Sequence, residues 1–216
     1  MLITLSVRDF AAKLASSEPA PGGGSAAAVT GLLGISLLEM VISLTRGRAA
    51  YAAYDQFLAA KQEELANLHS KMEVLVDEDA AAFRQVMVAL ALPKASEAER
   101  ETRSAALQKA LLTAAQVPLD IARVSVQALT IARDLLGKVN KQVISDLAVG
   151  AINCHSAVLN ALINTAVNLP ALKDQGAVNT MQTAVLDLKA AANSLLKVIQ
   201  DDVYGSDTFA IMKEQG

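Results

Sequence analysis

The chain predicts an all-α fold, a bundle of about seven helices around a long, central buried helix. Three observations carry this. Helical periodicity runs nearly from end to end, and strand signals are weak. Hydrophobic residues make up 53% of the chain but aromatics only 3%, with no Trp. The apolar content is therefore mostly Ala, Leu and Val, residues that let helices approach closely. Finally, the run Ser25–Leu44 carries a single charge, Glu39, as expected of a helix buried on all sides. No linker divides the sequence, so residues 1–216 read as one domain.

The elements follow in order. A first helix over Ser6–Ala15 spaces Val7, Phe10, Ala11 and Leu14 along one face. The central helix carries Ala27, Gly31 and Gly34 as a small-residue face for a closely packed neighbour and ends near Arg46-Gly47-Arg48. A long amphipathic helix runs from Asp55 to Ala91 and stops at Pro93. Ser96 with Glu99 three residues on forms a capping box for the next helix. Pro118 suits the first turn of a further one, and Gly137 its C-terminal turn. A sixth helix spans Gln142–Asn168, a seventh Ala177–Tyr204, and the residues after Gly205 form a short tail.

Composition excludes several classes of partner. The net charge is −3, with no basic stripe to meet nucleic acid or an anionic membrane surface. A single cysteine, Cys154, excludes an internal disulfide framework and fits a reducing compartment. Arg8 and Asp9 arrive too early for a secretory signal, which predicts a cytoplasmic protein. Ser25–Leu44 is long enough to span a membrane. Its Ala, Gly, Ser and Thr content, the absence of an aromatic belt and the want of a second span favour a buried helix.

Three features could carry chemistry. Pro19-Ala20-Pro21-Gly22-Gly23-Gly24-Ser25 is a bare turn leading into a helix, with Ser25 placed to cap it. It is either a plain turn or a site where helix N–H groups meet an anion or carbonyl oxygen. In the long third helix Leu58, Leu65, Met72, Asp79 and Val86 recur every seven residues, with Leu68, Leu75 and Ala82 as companions. Asp79 thus occupies a hydrophobic position, either ion-paired to a neighbouring helix or retained for function; Asp77 and Glu78 read as solvated charges. On the sixth helix Asp146, Gly150, Asn153, Ala157, Asn160, Asn164 and Asn168 line one face. This stripe fits a polar interhelical network, a ligand cavity or a wet subunit interface. His69 reads as a surface residue and Cys154 as a small buried hydrophobe. His155 has no ligand partners at metal spacing, so no metal is expected.

Together these residues resemble the cyclodeaminase/cyclohydrolase family of tetrahydrofolate enzymes over nearly the whole chain. The most specific block is Pro19–Ser25 with its Ala/Gly-rich helix, followed by Met40-Val41, Leu44-Thr45, Gly47, Arg48 and Tyr51. Asp79 with Phe83 and Val86-Met87, Leu92-Pro93-Lys94, Val117-Pro118-Leu119, Val143-Ile144-Ser145-Asp146 and Asn164 with Asn168-Leu169-Pro170 complete the order. Three positions depart from the pattern. Ala49 and Ala50 stand where lysines are common, Val139-Asn140-Lys141-Gln142 replaces a Gly-Asn-x-Asn sequence, and Glu39 replaces a small residue.

The resemblance implies a homodimeric enzyme acting on the one-carbon unit between N5 and N10 of tetrahydrofolate, without a metal or redox cofactor. Methenyltetrahydrofolate cyclohydrolase activity is expected first. The alternatives are formiminotetrahydrofolate cyclodeaminase activity and a non-catalytic folate-binding protein. On this resemblance Asp146 and Asp79 are the catalytic candidates. Gly22, Gly23, Gly24 and Ser25 would offer N–H donors to the ligand, and Arg48 would face its carboxylates. Asn164 and Asn168 would bond the pterin edge, and Asn140 and Ser145 complete the implied substrate contacts.

Overall fold

The structure, a computed structural model, describes residues 1–205 and 207–212. Among them there is no strand. Six α-helices are present: α1 (Val7–Leu14), α2 (Gly23–Ser43), α3 (Asp55–Leu90), α4 (Glu97–Leu135), α5 (Ile144–Asn168) and α6 (Gln175–Gly205). Short 3₁₀ turns cover Ala49–Tyr54, Lys141–Val143, Leu169–Ala171 and Asp207–Met212. The last lies where a plain tail was expected, and its Phe209 ring sits 6.5 Å from that of Tyr204.

Helices α2, α3, α4 and α5 form the core, each packed on the next, with α6 laid across α4 and α5. The third-helix seam is as the heptads predict: Leu58, Leu65 and Met72 are fully buried, with Leu68 and Leu75 nearly so. The capping box at Ser96 and Glu99 is formed. Gly47 and Gly137 take φ of +74° and +70°, turning the chain after α2 and α4.

The expected helix boundary at Pro118 is absent, because residues 97–135 form one continuous helix with Pro118 inside it. Proline has no N–H, so the carbonyl four residues earlier, that of Ala114, loses its helical donor. Asn168 Nδ2 supplies the missing hydrogen bond to Ala114 O at 3.1 Å. A side chain of α5 thus repairs α4, and the helix runs through.

The central helix is also less enclosed than expected. Ala27, Ala28, Ile35, Leu38, Val41 and Ile42 are fully buried, but Leu33 is 55% exposed. The small-residue face is consumed inside the chain. A Cβ on Gly34 would lie 2.6 Å from Cys154 Sγ and 2.8 Å from Gly150 O, and one on Gly31 3.2 Å from Ala157 Cβ. Glycine is what lets α2 and α5 touch backbone to backbone. By length and composition both α2 and residues 141–171 could cross a membrane, so a second candidate span does exist. Here the two pack on each other within the bundle.

One surface expectation, Asp77 as a solvated charge, is corrected, and His69, partly exposed at the surface as expected, gains a partner. Asp77 accepts the backbone N–H groups of Leu2 and Ile3, docking the N-terminus on α3. His69 Nδ1 lies 2.9 Å from Glu39 Oε2 and its Nε2 3.7 Å from Glu73 Oε1, so Glu39 joins α2 to α3.

Candidate active site

The glycine turn becomes a tight junction of three helices. Gly22 precedes α2 in an extended conformation, and no side chain caps the helix start. Ser25 is not the cap. It is fully buried one turn in, and its Oγ donates to Asp79 Oδ2 at 2.9 Å. The Ser25 backbone N–H bonds to the same carboxylate. Asp79 of α3 therefore serves as the anion at the N-terminus of α2, where the helix dipole favours negative charge. Among the described residues it makes no ion pair, which removes the salt-bridge explanation. Gly24 is required by this fit, since a Cβ there would lie 1.9 Å from Asp79 Oδ1. Desolvation by burial pushes the Asp79 carboxyl above its ordinary value, against the lowering effect of the Ser25 hydrogen bonds.

The C-terminal end of α5 closes one side. A Cβ on Gly23 would sit 3.1 Å from Asn164 Nδ2, which itself donates to Asn160 O at 2.8 Å. Asn168 Nδ2 is engaged by Ala114 O and Asn164 O. On α3, the turn after Asp79 presents Phe83 and Met87, both exposed.

The remaining predicted residues gather elsewhere. Thr45, fully buried after α2, donates to Val41 O at 2.7 Å and accepts the Asn140 N–H at 3.0 Å. Asn140 Oδ1 accepts the Gln142 N–H, and Tyr51 Oη accepts the Lys141 N–H. These bonds fix the connection into α5, whose first turn carries exposed Ser145 and half-buried Asp146. Arg48, three residues before Tyr51, is exposed. Asn140 Nδ2 is buried without a hydrogen-bond partner among the described residues. Thr45 and Tyr51, which the sequence singled out only as part of the resemblance and with no role, hold this end together.

The two clusters lie at opposite ends of one helix pair. Gly23 meets Asn164 while Gly34 meets Gly150, so α2 and α5 run antiparallel. At 1.5 Å per residue, the α5 axis places Asp146 about 27 Å from Asn164. One chain does not bring Asp146 and Asp79 into one cavity. Two large grooves, of about 530 and 630 Å³, run along α3–α4 and beside the α5–α6 connection and contain neither acid. The stripe on α5 is resolved the same way: Gly150 and Ala157 are its contact with α2, Asn160 is exposed, and Asn164 and Asn168 bond backbone carbonyls.

Among the described residues no group of three His, Cys, Asp or Glu could hold a metal ion. Cys154 is fully buried and desolvation pushes its thiol up to about 12, so it is a packing residue and not a nucleophile.

The sequence profile described as formiminotransferase-cyclodeaminase matches residues 6–187. A methenyltetrahydrofolate cyclohydrolase of Methylorubrum extorquens is 34% identical over 91% of this chain and 95% of its own length. A formimidoyltransferase-cyclodeaminase of Mus musculus is 34% identical over 80% of this chain, which spans only 32% of that protein. The crystal structure of a formiminotetrahydrofolate cyclodeaminase from Thermotoga maritima superposes with a TM-score of 0.85 at 28% identity, covering 95% of this chain and 98% of that one.

Proposed function

The chain belongs to the formiminotransferase-cyclodeaminase family, and from that premise we propose that it is a folate one-carbon enzyme, a methenyltetrahydrofolate cyclohydrolase. The observation that carries the chemistry is Asp79: a carboxylate held by Ser25 against Gly24, with its proton affinity raised by burial. In the hydrolase reaction water adds to the methenyl carbon between N5 and N10. Asp79 takes a proton from that water as the C–O bond forms and returns it to N5 as the C–N5 bond breaks, while the hydroxyl on the tetrahedral carbon releases its remaining proton to solvent and becomes the carbonyl. The carbon is left as a formyl group on N10. A carboxylate whose proton affinity is raised by burial accepts a proton more readily than an ordinary one and can still return it. Before addition, its charge also offsets the cationic methenyl centre.

The working site is built by two copies of the chain. The outer faces of α2 and α5 leave large apolar side chains exposed, with Leu33 at 55%, Val149 at 48%, Ile163 at 62% and Val167 at 68% exposure. Such a face buries itself in an isologous homodimer. If the two-fold axis crosses the helices, each Arg48–Asp146 end lies over its partner's Gly22–Asp79 end. This reading is supported by the separation of the clusters within one protomer. Arg48, Asn140 and Ser145 then bind the polar end of the folate while Asp146 joins Asp79 at the reacting carbon.

The cyclodeaminase reading shares the tetrahedral carbon and has its own support in the Thermotoga maritima structure, which matches 95% of this chain. The test uses both substrates. Loss of methenyl absorbance above the uncatalysed rate identifies the hydrolase, and ammonia release from 5-formiminotetrahydrofolate identifies the deaminase. Neither activity from a folded chain would overturn the proposal. The composite site is tested by mixing Asp79→Asn and Asp146→Asn proteins, each inactive alone. Random reassembly should restore about a quarter of wild-type activity, because half the dimers regain one intact site of two.

A further inference from the structure

We propose that Phe83 is the stacking platform for the planar, cationic one-carbon centre of the substrate, an inference that rests on the folate reading above. This chain has few aromatic side chains, four Phe and three Tyr. Tyr54, at 37%, and Phe83, at 40%, are the two most exposed of these seven rings; Tyr54 follows Arg48 in the chain and belongs to the end that binds the polar part of the folate in the two-chain site. Phe83, 40% exposed, stands one helical turn beyond Asp79 on the same face of α3. Cβ atoms at that spacing are about 6 Å apart. Helical side chains lean towards the N-terminus of their own helix, which brings the Phe83 ring back over the turn that carries Asp79.

The turn that abuts Asp79 through Gly24 is bare, because Gly22 and Gly23 have no side chains and an added Cβ at Gly22 would meet nothing within 4 Å. An open aromatic face, a carboxylate and a side-chain-free turn together suit a flat, positively charged heterocycle. The ring face attracts the delocalised cation while the carboxylate meets its reacting edge. An uncharged or tetrahedral ligand would gain little from this arrangement.

The test compares Phe83→Leu and Phe83→Tyr with wild type in steady-state hydrolysis of 5,10-methenyltetrahydrofolate, with light scattering on each protein. Phe83→Leu should raise KM about tenfold, within the range of a cation–π contact, and leave kcat within about threefold. Phe83→Tyr should restore KM, and the mass of all three should agree. An unchanged KM in Phe83→Leu, or a KM that Tyr fails to restore, would overturn the platform. A lower mass for Phe83→Leu would reassign the ring to a subunit contact and overturn it too. An inactive wild-type chain removes the proposed activity and this inference with it, whereas an active wild type with an indifferent Phe83 removes this inference alone.

Discussion

At the scale of single residues, Asp79 is a carboxylate whose burial costs stability and supplies chemistry. Its folded-state pKa is raised, so the folded protein holds that proton more tightly than the unfolded chain. The resulting stabilisation is present below the unfolded value of 3.8 and is lost as pH rises through the raised folded value. Asp79→Asn keeps an oxygen to accept the Ser25 hydroxyl but cannot ionise. It should melt at or above the wild-type temperature at pH 7 and show a flatter melting curve against pH in the mildly acidic range. Turnover should fall by about a hundredfold or more, the scale for losing a proton-transfer group. In wild type, kcat/KM should rise with pH through an inflection above the ordinary carboxylate range. Gly24→Ala tests the same carboxylate from the other side. Its Cβ would displace Asp79, so activity should collapse, with a thermal-melt loss of about 1–3 kcal/mol. The sequence marked Asp79 as an acid in an apolar seam. Its partner Ser25 was read as a helix cap, because a serine after glycines fits that role equally well.

At the scale of elements, most helices were legible because apolar periodicity and capping residues are local signals. Pro118 was not, because its tolerance depends on a side chain fifty residues further on. That dependence is measurable. Asn168→Ala should cost about 1–3 kcal/mol by leaving the Ala114 carbonyl unpaired in a buried helix. In a Pro118→Ala background the backbone N–H returns, and the same substitution should cost markedly less. A double-mutant cycle by denaturant unfolding reads this coupling directly. The α2–α5 contact gives a second test. Gly34→Ala should destabilise by about 1–3 kcal/mol although alanine is the better helix former, because its Cβ would meet the Gly150 carbonyl, a backbone atom that cannot swing aside.

At the scale of the whole molecule, the sequence showed which faces of α2 and α5 carry small and polar residues. It did not show that the two helices run antiparallel, which sends Asp79 and Asp146 to opposite ends. Periodicity reports a direction around a helix axis and nothing about which end meets which neighbour. The small face of α2 is spent on α5 within the chain, and the exposed apolar side chains lie on the other side. Leu33→Asp or Val167→Asp should therefore yield a folded monomer by light scattering with activity lost, as both side chains are more than half exposed in one protomer. Pro118 also divides α4 in time. One amide is missing from its ladder, and the arm before it, from Glu97 to Lys109, is mostly exposed. The hairpin of that arm with the end of α3 can open without disturbing residues 119–135, which are largely buried. Hydrogen exchange should accordingly be fast and local up to about Lys109, and slow beyond Pro118, where exchange awaits unfolding of the entire bundle.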